Sequence, residues 1–199
     1  RGPGGDAAAL AFDGSGNVVV TGSSGRDYYT AMYAATDGAL LWEQSYNGPL
    51  NDGDQARAVA VDGSGNVVVT GVSYNVINEN DIPEDGDYYT AKYAAADGAL
   101  LWEKRYDGAE NEGFYLPSVA VAVDSIGNVV LTGAPFSSAS GADYYTAKYA
   151  AANGVLLWEQ HYNSFPLYFA RAVAVDSSGN VVVTGTSGSF QFRAYYTAK

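Results

Sequence analysis

An all-β fold of repeated four-stranded antiparallel units is predicted by three features of this 199-residue chain. The first is repetition. One text recurs four times, most fully from Ala58 to Tyr106: AVAVDGSGNVVVTG, a variable insert, then DYYTAKYAAADGALLWEKRY. The second is texture, since the runs between turns are rich in Val, Tyr, Thr and Trp and none carries a helical apolar period. The third is punctuation by Gly, Asp, Asn and Ser at regular places. Copies recur at spacings of about 49 to about 62 residues, and all-β repeats of that size arrange radially as a β-propeller.

In the second copy the elements follow in order. The first run is Ala56–Val61 and the second Asn66–Val72, joined by Asp62-Gly63-Ser64-Gly65. Here Asp caps the turn through backbone N–H groups and Gly accepts positive φ. Asp13, Asp124 and Asp176 take the same position in the other copies. A ring of carboxylates binding cations is the alternative to this capping role, but recurrence in every copy favours the fold. The third run, Tyr88–Ala94, and the fourth, Ala99–Tyr106, meet through Asp97-Gly98, a strong hairpin signal. Along the third run Tyr89, Ala91 and Tyr93 fall on one face and Tyr88 and Thr90 on the other. Neither face is clearly wet, so each sheet is expected to lie between two others. Trp42, Trp102 and Trp158 recur in the fourth run and are assigned to that packing.

The pattern AVAVDxxGNVVVTG, DYYTAKY and LLWExxY resembles the bacterial seven-bladed β-propeller (SBBP) repeat over nearly the whole chain. The resemblance implies an extracellular or cell-surface bacterial protein, blades near 6–46, 55–106, 117–162 and 169–199 in one repeat region, and no catalytic residues. Ring size stays open between four, seven and eight blades. Arg1–Asp6 is similar to the inter-blade loop Asn47–Asp52, and the last copy stops at its third strand. The chain is therefore expected to be a window of a longer repeat protein, or a protomer that self-associates through incomplete blade edges near Phe190 and Tyr195.

Composition narrows function. Net charge is −12, with 22 acidic against 10 basic residues, which argues against nucleic acid and anionic lipid. Apolar residues at 47 % against 16 % charged describe a globular chain. There is no cysteine, and no apolar run approaches a membrane span or a signal peptide. His161 is the lone histidine, at a position where other copies have Ser45 or Arg105, and reads as a surface residue. No nucleophile, phosphate or dinucleotide motif is present, so an enzyme is the least favoured reading.

Meander geometry puts the short 1–2 and 3–4 turns at one end of each unit. The 2–3 loops (Ser23–Asp27, Ser73–Asp87, Ala134–Asp143, Thr186–Arg193) and the inter-unit loops lie at the other end, and these hold all the variation. Binding belongs at that end. Its most acidic stretch, Tyr74–Asp87, carries Glu79, Asp81, Glu84, Asp85 and Asp87 with no basic residue. A solvated loop is the first reading and a calcium site the second. Asp107, Glu110 and Glu112 on the next loop are placed to converge with it. Phe114, Tyr115, Phe165, Tyr168, Phe190 and Phe192 sit in or beside variable loops, as blade-end cover or as contacts for a glycan or a protein partner. The leading expectation is a non-catalytic scaffold presenting variable loops to a protein partner or larger assembly. The alternative is a carbohydrate-binding module, calcium-assisted or not, and a lyase or glycosidase domain ranks last.

Overall fold

A computed structural model describes residues 4–49, 53–77, 83–106, 119–133, 136–137, 141–142, 144–162, 168–188 and 193–198. They form antiparallel meanders in chain order. Sheet one is β1 (Gly5–Phe12), β2 (Val18–Ser24), β3 (Asp27–Tyr33) and β4 (Leu40–Tyr46). Sheet two is β5 (Gln55–Val61), β6 (Val67–Ile77), β7 (Pro83–Tyr93) and β8 (Leu100–Tyr106). Sheet three is β9 (Val119–Val123), β10 (Val129–Gly133), β13 (Tyr144–Tyr149) and β14 (Leu156–Tyr162). A small ribbon, β11 (Phe136–Ser137) with β12 (Gly141–Ala142), interrupts its 2–3 connection. Sheet four contains β15 (Tyr168–Val175), β16 (Val181–Gly188) and β17 (Arg193–Ala198). The all-β repeat expected from the sequence is thus present.

The sheets pack face to face, and the first strands β1, β5, β9 and β15 lie beside one another in that order. One buried cluster joins Val19, Tyr28, Met32 and Trp42 of sheet one to Val67, Val69, Tyr89, Ala91 and Tyr93 of sheet two. A second joins Val68 and Trp102 of sheet two to Val129, Leu131, Tyr145, Ala147 and Tyr149 of sheet three. Val59 and Val61 pack into the first cluster, Val121 and Val123 into the second. Strand alternation turns Ala58, Ala60, Ala120 and Ala122 to the opposite face. In the repeated Ala-Val-Ala-Val, the large residue therefore points to the preceding sheet and the small one to the following sheet.

The two aromatic faces expected of the third run are both used, Tyr89 and Tyr93 against sheet one and Tyr88 against Val119 of sheet three. Trp42 and Trp102 bridge sheets as expected: each indole Nε1–H donates 3.1 Å to a carbonyl of the next sheet, Ala95 O and Ala151 O respectively. Glycine is required opposite these rings. Gly98, at φ 71°, would place a Cβ 2.7 Å from Trp42 Cε3. Within the sheets, buried threonine pairs Thr21–Thr30, Thr70–Thr90 and Thr132–Thr146 join strands two and three at 2.8, 2.8 and 2.9 Å.

Several loop expectations are corrected. The stretch 73–87 is largely strand, because Val72, Tyr74, Val76 and Ile77 continue the β-favouring run; Ser73 pairs with Asp87 and Tyr74 with Gly86 before two register shifts. Pairing likewise reaches Ser24 and Asp27 in sheet one and Gly188 and Arg193 in sheet four. The Asp-Gly connections close four-residue turns, not two-residue ones: Gly38 N–H donates to Ala34 O and Ala34 N–H to Ala39 O. Asp37 Oδ1 accepts the Ala39 N–H, so the aspartate stabilises this longer turn.

Candidate functional site

One end of the sheets is wired for folding. Asp62 Oδ1 accepts the N–H groups of Ser64 and Asn66 at 2.9 Å each, and Asn66 Nδ2 donates to Asp62 Oδ2 at 3.0 Å. Asn66 Oδ1 then accepts the Ala95 N–H, tying the 1–2 turn to the 3–4 turn. Asp13, Asp124 and Asp176 repeat the cap, which agrees with the capping role assigned to these four residues. In the middle copies a lysine joins the device: Lys92 Nζ lies 2.8 Å from Asp62 Oδ2, and Lys148 Nζ 2.8 Å from Asp124 Oδ2.

These contacts set a pH dependence. Burial raises the pKa of Asp62 and of Asp124, but the lysine, the asparagine amide and the turn N–H groups outweigh it and hold both carboxyls below their ordinary value. A lowered folded-state pKa contributes stability above the unfolded value and loses it as pH falls through the folded value. The melting temperature is therefore expected to drop on acidification below about pH 4. Asp62→Asn, which keeps the turn acceptor, is expected to flatten that limb in a series of melts against pH.

The other end is specific to each copy, and its described chemistry gathers where sheet one meets sheet two. Asp54, fully buried before β5, accepts the Gly48 N–H on Oδ2 and donates its own N–H to Arg26 O at 2.7 Å. Burial raises its pKa, and Ser73, the Gly48 N–H and Arg105 offset this only in part. Asp87 at the hairpin end of β7 is also buried, its Oδ2 2.7 Å from Arg105 Nε on β8. Arg105 Nη2 donates to Ser73 Oγ at 2.7 Å. At the same joint Tyr46 stacks on Tyr89 with centroids 3.6 Å apart, and Tyr89 donates to Glu103 at 2.6 Å. Burial and then Glu103 push the Tyr89 phenol far up, so it acts as a donor and not as a base.

Chemically the cluster positions backbone. It anchors the loop between sheets one and two to the rim of sheet two. Ser73 is engaged by an arginine, and the chain's one histidine lies elsewhere, on β14 with its ring 5.0 Å from Tyr145. Replacing Arg105 by Ser, the residue of the first copy at Ser45, leaves Asp87 without its guanidinium. We expect a loss of about 1.5–3 kcal/mol in urea unfolding. Lysine restores less than arginine because it lacks the fork that spans Asp87 and Ser73.

The expected site residues fare unevenly. Asp87, read as a cation ligand, instead faces Arg105; an in-place guanidinium already neutralises that oxygen. Asp85 pairs with Val76 along the β6–β7 ribbon, and Glu79 and Asp81 lie outside the described residues. Among the described residues no three carboxylate, histidine or cysteine side chains gather as a metal site. Tyr168 opens β15 opposite Ser187, whereas Phe114, Tyr115, Phe165, Phe190 and Phe192 lie outside the described residues, as do Asp107, Glu110 and Glu112. Sequence reasoning missed the Asp54–Arg105 cluster. Its signal was departure from the repeat, since Asp54 aligns with Gly5, Leu116 and Tyr168, and Arg105 with Ser45 and His161.

No family model matches the chain. It matches no curated protein sequence either. Among solved structures it is similar to a Bacillus licheniformis rhamnogalacturonan lyase (TM-score 0.55, 16 % identity), with 90 % of this chain covering 39 % of that one. A second match is to the Dos1 propeller (TM-score 0.39, 8 % identity; 92 % of this chain, 52 % of that one). A third is to the tail fiber of Staphylococcus aureus phage P68 (TM-score 0.35, 9 % identity; 97 % and 49 %). The chain thus spans about two fifths of the lyase's length, and at these identities the likeness concerns the arrangement of sheets alone.

Proposed function

We propose that the chain is a non-catalytic β-propeller scaffold, built of repeats of the SBBP kind, of an extracellular or surface bacterial protein. Its variable-loop end meets a protein partner or a larger assembly. The observation that carries this reading is the division of labour between the ends. At the uniform end the aspartates, asparagines and lysines are committed to turn caps and ion pairs. At the other end one copy departs from the repeat, and its polar residues brace the base of the loops. A rigid base with free variation above it suits recognition.

The test is catalytic first. Incubated with rhamnogalacturonan and a panel of other acidic polysaccharides, the chain is expected to release no oligosaccharides. Cleavage that survives repurification overturns the non-catalytic reading. Screening on a glycan array, in calcium and in chelator, is expected to show no binder; a calcium-dependent signal would replace the protein-partner reading with the carbohydrate one.

A further inference from the structure

Two Asn-Gly pairs occur in the chain, Asn47-Gly48 and Asn153-Gly154, and the fold treats them in opposite ways. Asn153 stands in the 3–4 turn of sheet three, where the first two copies carry Asp37 and Asp97. It is exposed, and its Oδ1 accepts the Val155 N–H at 3.1 Å. A side chain bonded two residues ahead lies folded over the peptide nitrogen between, here that of Gly154. The Gly154 N–H donates to a neutral backbone carbonyl, Ala150 O, at 3.0 Å. Gly48, by contrast, is buried, and its N–H donates to Oδ2 of Asp54, a carboxylate with no exposure. The space about Gly48 is filled as well: a Cβ there would stand 2.5 Å from Asp54 Oδ1.

We propose that Asn153 is a site of self-deamidation, and that the fold withholds the same reaction from Asn47. The Gly154 nitrogen gives its proton to water or hydroxide and attacks Cγ of Asn153. Nδ2 takes up a proton and leaves as ammonia, which closes a succinimide ring. Water then opens the ring at either carbonyl, giving aspartate or isoaspartate, so an amide nitrogen is exchanged for oxygen and a negative charge is gained. The Val155 N–H already points at the oxygen on which charge develops during the attack. At Gly48 the proton that must depart is held by a buried carboxylate, and its removal would leave like charges in contact. Aspartate at 153 fits the turn, because Asp37 and Asp97 accept the N–H groups of Ala39 and Ala99 in the same way, at 2.9 and 3.0 Å. Isoaspartate instead adds a methylene carbon to the backbone ahead of Gly154. That glycine lies under the Trp102 ring, where a Cβ would already stand 2.8 Å from Cδ2, so this product loosens the joint between sheets two and three. The chemistry goes beyond the scaffold reading and does not depend on it.

Peptide mass spectrometry on the 199-residue chain, aged in mildly alkaline buffer and in parallel in urea, tests this. In urea both pairs are expected to gain about 1 Da at similar rates, being the same dipeptide. In the folded chain Asn153 is expected to keep reacting while Asn47 lags roughly tenfold or more behind it. An isoaspartyl methyltransferase is expected to label the aged folded chain at residue 153. Asn153→Asp is expected to keep the melting temperature of the parent chain and to abolish the mass gain at that position. An Asn153 that reacts in urea but not in the folded chain overturns the proposal, as does an Asn47 that keeps pace with it. A melting temperature lowered by Asn153→Asp overturns the fit of aspartate to this turn.

Discussion

Trp102→Ala is expected to cost about 3–5 kcal/mol of stability. Trp102 is 6 % exposed, packs on Tyr149 with ring centroids 6.5 Å apart, and donates to Ala151 O across the joint between sheets two and three. Its ring covers Gly154, where a Cβ would stand 2.8 Å from Trp102 Cδ2. Truncation opens a cavity that strand backbones cannot collapse into, and removes one of the two donors to Ala151 O. The repeat supplies an internal control. Trp158, the same residue one copy on, is half-buried, so Trp158→Ala is expected to cost on the order of 1 kcal/mol. Urea unfolding of the two variants measures the contrast, and equal losses would mean that the indole acts within its own sheet.

The second large effect belongs to Lys92. Its ammonium is buried at 2 % exposure, pairs with Asp62, and donates 3.2 Å to Gly127 O and 3.2 Å to Ala151 O on sheet three. Lys92→Met is expected to lose about 3–5 kcal/mol, because Asp62 stays buried with its charge uncompensated and two carbonyls lose a donor. The penalty comes mainly from the stranded carboxylate. Adding Asp62→Asn should therefore recover much of the loss: the amide still accepts the turn N–H groups and carries no charge. Copy one already has the apolar version, with a buried Met32 at this position and a more open Asp13 cap. A double-mutant cycle on Asp62 and Lys92 should return a coupling of about 1–3 kcal/mol. No coupling would show that the pair is incidental to the joint.

Much of this was written in the repeat. Alternation of Val, Tyr and Ala with Gly-bounded turns specified antiparallel meanders, because side-chain period and turn chemistry are local properties of a few consecutive residues. Recurrence of Asp13, Asp62, Asp124 and Asp176 specified turn caps for the same reason, the acceptors and donors lying within four residues of one another. The length of the β6–β7 ribbon was less legible. Ser73–Asp87 reads as an acidic loop in one dimension, yet Val72, Tyr74 and Val76 have a partner strand at hand and extend into it.

What escaped the sequence is where buried charge finds its partners. Lys92 meets carbonyls 35 and 59 positions away on the next sheet, and Arg105 reaches Asp87 and Ser73 across two strands of its own. Nothing in the local text marks a buried ammonium or predicts that a surface-looking aspartate will face a guanidinium. Periodicity determined which residues point out of each sheet, and the stacking of one sheet on another decided what they meet. Burial of charge depends on that second step, because desolvation is a property of the assembled joint and not of any one strand.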